Sequence, residues 1–193
     1  IFFSSAFFLF TMLDAGIRVI QYREKEKSGR EKYEQCIRLR QMTAKSHACF
    51  IIDDDVALAA ACDADGVHIG QDDLNPHMAR ALLGPEKIIG ISAGNITEAL
   101  AAVAAGADYL GVGPVYPTTS KDCRIDAGGP ELVAEIAARV PIPIVAIGGI
   151  TTQNTPALLK AGAAGVAVIS SILAASDPAK VIKDFMKVIK SER

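Results

Sequence analysis

The sequence predicts an α/β fold with a parallel sheet, because short apolar runs alternate with Ala- and Leu-rich stretches of helical character along the chain. Small residue pairs end several helical stretches shortly before an apolar run. Glycine after a helix is a C-cap signal, and continuous apolar runs are typical of parallel strands. The glycines in these pairs are Gly16, Gly66, Gly106 and Gly162. Strands are predicted near 18–22, 48–52, 66–70, 88–92, 109–113, 143–148 and 165–170, with an eighth in residues 1–6.

Helices are predicted between these strands, so each strand belongs to a βα unit. Eight such units close into a (β/α)8 TIM barrel, here with an irregular or incomplete first unit.

The apolar start, residues 1–10, is interpreted as a buried strand running into a helix; a truncated start is the alternative. It lacks the basic residues of a signal peptide, and Asp14 interrupts it too early for a membrane span. The helices are expected at 31–46, 55–62, 75–83, 96–105, 129–139, 153–161 and 178–189.

Composition favours one globular domain over residues 1–193. Half of the residues are hydrophobic and 22% are charged, which excludes a disordered chain. The net charge of −2 does not indicate a basic surface for nucleic acid, and no nucleic-acid or membrane partner is expected. The four cysteines form no CxxC pair, which favours free thiols in a reducing cytoplasm. The sequence leaves open whether the chain is a homo-oligomer.

Three donors share one face of the first predicted strand end: Gln21, Arg23 and Lys25. In a barrel, chemistry gathers at the carboxyl ends of the strands. An amide, a guanidinium and an ammonium that converge there predict an anion site. The alternative is a charged strand end in which Arg23 and Lys25 pair with nearby glutamates at 24, 26 and 31.

Carboxylates follow the next two strands, at Asp53–Asp55 and at Asp73. Hard oxygen ligands beside a basic set predict a Mg²⁺ site that also takes substrate phosphate oxygens. The alternative for Asp53–Asp55 is a helix N-terminus, where acids act as caps; that would explain one or two of them, but not Asp73.

The other strand ends predict phosphate contacts. Ser92 ends the fourth strand, although it could equally cap the next helix. The loop at 113–121 carries two prolines, three hydroxyls and Lys121, which suit phosphate oxygens. Gly148-Gly149 permits close backbone approach, and Ser170 follows the last strand, where many such barrels bind phosphate.

Four segments together resemble thiamine-phosphate synthases. They are Gln-Tyr-Arg-Glu-Lys at 21–25, Asp-Gly-Val-His-Ile-Gly-Gln-Asp-Asp at 65–73, Gly-Val-Gly-Pro-Val-Tyr-Pro-Thr-Thr-Ser-Lys at 111–121 and Val-Ala-Ile-Gly-Gly-Ile at 145–150. The resemblance runs from about residue 13 to the end of the chain. It implies a transferase of thiamine biosynthesis that joins 4-amino-2-methyl-5-hydroxymethylpyrimidine diphosphate to a thiazole phosphate, releasing thiamine phosphate and pyrophosphate.

The resemblance also implies residue roles. Mg²⁺ would be held by Asp54 and Asp73. Catalytic charge stabilisation would come from Arg23, Lys25 and Lys121. The pyrimidine diphosphate would be bound by Gln21, Arg23, Lys25, Asp53, Ser92 and Lys121. The thiazole phosphate would be bound by Thr118, Ser120, Gly149, Ile169 and Ser170.

This chain departs from the family at three places. Asp53 stands where the family usually has Asn, and Gly94-Asn95 where it often has His-Thr. Residues 1–12 match the family's first strand poorly. Two other functions remain alternatives: a thiazole tautomerase of the same fold, which typically has a His where this chain has Pro114, and a non-catalytic phosphate-binding barrel.

Overall fold

The computed structural model describes residues 6–118 and 127–192, and the side chains from residue 9 onward within them. The strands in these ranges are β1 (Val19–Tyr22), β2 (Cys49–Asp53), β3 (Gly66–Ile69), β4 (Ile88–Ala93), β5 (Tyr109–Val112), β6 (Ile144–Ile147) and β7 (Gly165–Ala167). The helices are α1 (Ala6–Asp14), α2 (Gly29–Lys45), α3 (Val56–Ala61), α4 (Pro76–Leu83), α5 (Ile96–Ala104), α6 (Gly129–Ala137), α7 (Thr155–Lys160), α8 (Ser170–Leu173) and α9 (Pro178–Ser191).

The prediction of an α/β fold is confirmed, with the seven predicted strands ordered β1-β2-β3-β4-β5-β6-β7 in the sheet. The prediction of a full eight-stranded barrel is not confirmed, because residues 6–118 and 127–192 contain seven strands. The strand predicted at 1–6 lies outside the described residues except for Ala6, which begins α1. The last strand was also predicted too long, since it ends at Ala167 and the short helix α8 begins at Ser170. Nowhere in the described ranges is a helix long and apolar enough to cross a membrane.

The chain divides into two compact units, Ile1–Gly90 (unit 1) and Ile91–Arg193 (unit 2). In unit 1, β1 pairs with β2 and β2 with β3, both in parallel, so that Ile20 lies opposite Phe50 and Ile52 opposite Val67. These four apolar side chains are fully buried. The register therefore brings the carboxyl ends of three strands to one edge, where the charged residues follow.

Helix α2 begins at a complete capping box in unit 1. The Ser28 side chain accepts a hydrogen bond from the Glu31 N–H, and the Glu31 carboxylate accepts one from the Ser28 N–H at 3.0 Å. Reciprocal capping satisfies two backbone donors that a helix start otherwise leaves unpaired. The cationic segment after β1 is thus joined to a well-defined helix start.

In unit 2, β5 pairs with β6 and β6 with β7, again in parallel. Leu110 lies opposite Ile144, and both are buried. Helix α9 is amphipathic and buries Ile182 and Phe185. Continuous apolar strands covered by helices are the pattern that the sequence predicted for a parallel sheet.

Three of the four predicted helix-ending glycines adopt left-handed backbone: Gly16, Gly106 and Gly162 have φ of 105°, 83° and 106°. Gly66 does not, because Asp63 takes the left-handed position after α3, with φ of 51°. Gly66 instead begins β3, where an added Cβ would lie 2.2 Å from the carbonyl oxygen of Ile88. Glycine is required there by close packing rather than by a helix end.

Candidate functional site

The three donors of the first strand end face carboxylates that follow β2. Gln21 Nε2 donates to Asp53 Oδ1 at 2.6 Å, and Arg23 Nη1 donates to Asp53 Oδ2 at 3.1 Å. Lys25 Nζ donates to Asp54 Oδ2, which also lies 3.9 Å from Arg23 Nη1. The basic set and the acidic set predicted from the sequence are therefore in direct contact.

The alternative pairing of these cations with neighbouring glutamates is wrong. Glu24 pairs with Lys27 at 3.5 Å, and Glu31 is engaged in the capping box of α2. The parallel register of β1 and β2 explains the difference, because it brings residues that follow the two strands together. Pairing across strands is a contact that local sequence spacing does not reveal.

The three consecutive aspartates have separate roles. Asp55 is the N-cap of α3, with Oδ1 accepting from the Leu58 N–H at 2.9 Å, as the capping alternative predicted. Asp53 ends β2 and contacts Gln21 and Arg23. Asp54 lies between them with φ of 63°, in left-handed backbone that is unusual outside glycine. Capping thus explains one of the three acids.

Asp54 and Asp73 form a carboxyl pair. Burial disfavours the charged form of Asp54, but hydrogen bonds with Lys25 and with Asp73 outweigh it and keep the pKa of Asp54 below its ordinary value. Burial raises the pKa of Asp73; the Gly70 N–H, 2.6 Å from its Oδ2, opposes that shift, and the adjacent Asp54 adds to it. Two acids at one place favour the binding of a cation, which would relieve their repulsion.

The donor set of this pair fits Mg²⁺ better than a metal held wholly by protein. Among the described residues, no group of three or more His, Cys, Asp or Glu side chains could hold a metal ion. Two carboxylates leave most of a six-coordinate shell to water and substrate oxygens, which is the usual mode of Mg²⁺ binding. Asp54 and Asp73, which the resemblance implies as Mg²⁺ ligands, are adjacent, and their role as ligands stays a prediction.

A cavity of about 390 Å³ opens beside the paired charges in unit 1. Its walls combine the cations and carboxylates with apolar side chains from α3, α4 and the segment before α4. It is lined by Arg23, Glu24, Lys25, Lys32, Asp53, Asp54, Asp55, Val56, Ala57, Leu74 and Leu82.

In unit 2, the glycine pair after β6 packs against the loop after β5. Gly148 and Gly149 have φ of 102° and 60°, and a Cβ on Gly149 would lie 2.5 Å from the Pro117 carbonyl oxygen. The backbone N–H of Val115 donates to Ile147 at 2.9 Å, and that of Tyr116 donates to Gly148 at 3.1 Å. The two glycines thus allow close packing against the loop after β5, and their predicted contact with a phosphate stays a prediction.

Side chains that sequence reasoning missed fix this part of unit 2. Asn154 Nδ2 donates to the Gly149 carbonyl at 3.1 Å, and its Oδ1 accepts from the Thr151 N–H at 2.8 Å. Ser171 Oγ donates to the Ile150 carbonyl at 2.6 Å, which ties the start of α8 to the segment after the glycines. An Asn shortly after a glycine pair is a turn signal, and this signal could have indicated the contacts of Asn154.

The remaining predicted residues are placed as follows. Ser92 lies within β4 and is not a helix cap, because Asn95 caps α5 by accepting from the Glu98 N–H at 2.9 Å. Thr118 ends the first described range, Ile169 is the N-cap of α8 and Ser170 its first residue. Ser120 and Lys121 lie outside the described residues.

A parallel α/β fold that carries paired cations and carboxylates at its strand ends is typical of enzymes that act on phosphorylated small molecules. Comparison with known proteins narrows that class. Residues 6–172 match the family described as thiamine monophosphate synthase. The thiamine-phosphate synthase of Geobacillus thermodenitrificans is 49% identical over 170 residues, which cover 86% of this chain and 76% of the relative. That of Haloarcula marismortui is 45% identical, covering 94% of this chain and 87% of its own.

A solved structure supports the same family assignment. Thiamine phosphate pyrophosphorylase from Pyrococcus furiosus has a TM-score of 0.89 and 40% identity, covering 96% of this chain and 89% of that one. The chain belongs to the thiamine monophosphate synthase family. The predicted function, a transferase of thiamine biosynthesis, is confirmed over the tautomerase and the non-catalytic barrel.

Proposed function

We propose that the chain joins 4-amino-2-methyl-5-hydroxymethylpyrimidine diphosphate to thiazole phosphate by a dissociative substitution assisted by Mg²⁺. The observation that carries this mechanism is the contact of Arg23 and Lys25 with Asp53 and Asp54 next to Asp73. Cations suited to a diphosphate and acids suited to its metal both follow the ends of β1, β2 and β3, which supports the proposal.

The bond that breaks joins the pyrimidinylmethyl carbon to the diphosphate oxygen, and its electron pair leaves with the diphosphate. The carbon becomes cationic and is then attacked by the ring nitrogen of the thiazole. Negative charge grows on the leaving oxygens, so fixed positive groups beside them lower the barrier. Arg23, Lys25 and, from its sequence match, Lys121 are proposed in this role. The mechanism needs no covalent nucleophile from the protein.

Asp54 and Asp73 would hold the Mg²⁺. When bound, the ion supplies charge neutralisation for the diphosphate oxygens. In the structure Asp54 accepts from Lys25, so a metal on Asp54 would release that ammonium for the substrate. Gln21, Asp53 and Ser92 are proposed to contact the pyrimidine diphosphate.

Unit 2 is proposed to bind the thiazole phosphate. The left-handed backbone at Gly149 and the fixed turn around it support a phosphate held through backbone N–H groups. Thr118, Ser120, Ile169 and Ser170 would complete the contacts. The proposal follows from their match to the family motifs and from the position of Ser170 at the start of α8.

The test is incubation of the purified protein with both substrates and Mg²⁺, with pyrophosphate and thiamine phosphate measured separately. Equal amounts of the two products are expected, and neither should form when thiazole phosphate or Mg²⁺ is omitted. Pyrophosphate release without thiamine phosphate would indicate hydrolysis and would contradict the proposal.

We also propose that the protein acts in the cytoplasm as a single domain on small-molecule substrates, without nucleic-acid or membrane partners. Free thiols at Cys36, Cys49 and Cys62 support a reducing compartment. One cooperative unfolding transition, seen by both circular dichroism and calorimetry, is expected for a single domain.

A further inference from the structure

Lys32 lines the unit 1 cavity together with Arg23 and Lys25 but differs from them in its pairing. It lies in α2, four residues after the N-cap Ser28, and is half-buried. Within residues 6–118 and 127–192, its ammonium group makes no ion pair and no side-chain hydrogen bond. The other two cations each contact an aspartate.

The acids of the cavity are already engaged. Asp53 contacts Arg23, Asp54 contacts Lys25, and Asp55 caps α3. Glu24, the remaining acid of the lining, pairs with Lys27. Lys32 therefore forms no ion pair with any of these carboxylates and is available to an anion in the cavity.

The position of Lys32 near the N-terminal end of α2 also favours a nearby anion. The N-terminal end of a helix carries partial positive charge, so a cation in its first turns is disfavoured unless an anion is near. Loss of hydration in a half-buried place also disfavours a lone ammonium. An anion in the cavity would offset both effects.

We propose that Lys32 is a further substrate-binding residue that contacts the diphosphate of the pyrimidine substrate and the pyrophosphate product. This inference rests on the diphosphate site proposed above. The long flexible side chain of lysine suits a contact with a phosphate oxygen as a point charge. The role is binding: Lys32 holds substrate and product alike, whereas Arg23 and Lys25 are proposed to stabilise charge that develops in the reaction.

The test compares Lys32→Gln with Lys45→Gln, a matched control that removes an exposed lysine from the last turn of the same helix. Inorganic pyrophosphate with Mg²⁺ is the probe, used as a product inhibitor and in titration calorimetry. We expect Lys32→Gln to weaken pyrophosphate binding about five- to tenfold, as for loss of one partly exposed charged contact. The KM for the pyrimidine diphosphate should rise equally, while kcat and the KM for thiazole phosphate stay within about twofold.

Further variants distinguish a failure of the role proposed for Lys32 from a failure of the diphosphate site on which that role depends. Lys32→Arg should restore most of the affinity, and the defect of Lys32→Gln should shrink at high salt because ions screen an exposed contact. If Lys32→Gln matches Lys45→Gln while Arg23→Gln loses pyrophosphate binding, Lys32 has no such role. If Arg23→Gln also leaves pyrophosphate binding unchanged, the diphosphate site itself is wrong. A lower Tm with both KM values raised would show a structural role and overturn the inference.

Discussion

The anion sites proposed at the strand ends of unit 1 and at the glycine loop of unit 2 differ in kind. Unit 1 uses charged side chains, Arg23 and Lys25, whose positive charge is balanced by Asp53 and Asp54. Unit 2 uses backbone, fixed by left-handed Gly148 and Gly149 against the loop that contains Pro117. Side-chain pairs can exchange partners when substrate arrives, whereas a backbone turn is set by the fold. Substitutions in unit 1 should therefore change chemistry, and those in the loop should change folding and binding together.

The largest effect is expected for Asp54→Asn. Asparagine tolerates the left-handed backbone at this position but removes the negative charge that we propose holds Mg²⁺. Turnover should fall about 1,000-fold, and EDTA should abolish the activity of the unchanged enzyme. Steady-state rates over a Mg²⁺ titration measure this. Asp184→Asn on the surface of α9 is the control, and activity of the native chain persisting in EDTA would argue against a metal site.

Arg23→Ala should lower kcat at least about 100-fold, the usual cost of losing one group that stabilises charge in the transition state. The KM for thiazole phosphate should change little, because Arg23 belongs to the side-chain site. Arg30→Ala serves as the control, since Arg30 is exposed and pairs with Glu34 within α2. A near-normal rate for Arg23→Ala would remove its role in stabilising the leaving group.

Gly149→Ala tests the backbone site. The added methyl group would lie 2.5 Å from the Pro117 carbonyl at a φ of 60°, so we expect a loss of about 1–3 kcal/mol in unfolding free energy. The KM for thiazole phosphate should rise about tenfold with a smaller change for the pyrimidine diphosphate. Gly165→Ala is the matched control, because no atom of the residues that the structure describes lies within 4 Å of its added Cβ. Equal stability of the two variants in urea would contradict the steric argument.

The smallest effect is expected for Asp53→Asn, which introduces the residue that the family resemblance implies at this position. The Asp53 carboxylate accepts from Gln21 and Arg23, and its charge competes with a diphosphate for the guanidinium. Removing that charge should lower the KM for the pyrimidine diphosphate about two- to fivefold. A higher KM would show instead that Asp53 mainly holds Arg23 in place.

Much of unit 1 could be predicted because its chemistry lies in residues that directly follow strands. Arg23, Asp54 and Asp73 were found by locating strand ends, and the parallel register then brought them together. The role proposed for Lys32 could not be predicted from the sequence, because a lysine near the start of a helix is usually exposed to solvent. The structure shows that Lys32 lines a cavity. The contacts of Arg23 and Lys25 with Asp53 and Asp54 could not be identified from sequence spacing, because they join residues that follow two different strands.

Unit 2 was harder to predict because its contacts are made by backbone. Gly148 and Gly149 indicated close approach, but only coordinates show that Val115, Tyr116 and Asn154 complete the turn. Ser170 was placed at the end of a strand, whereas it begins a four-residue helix too short to give a periodic signal.

The left-handed backbone of Asp54 has a consequence for how this protein can evolve. Glycine would occupy that conformation with less strain, yet it would supply no carboxylate. The protein thus accepts a local conformational cost at a residue that we propose as a ligand of Mg²⁺. Selection for heat resistance alone would favour the easier backbone there, and selection for vitamin synthesis opposes it.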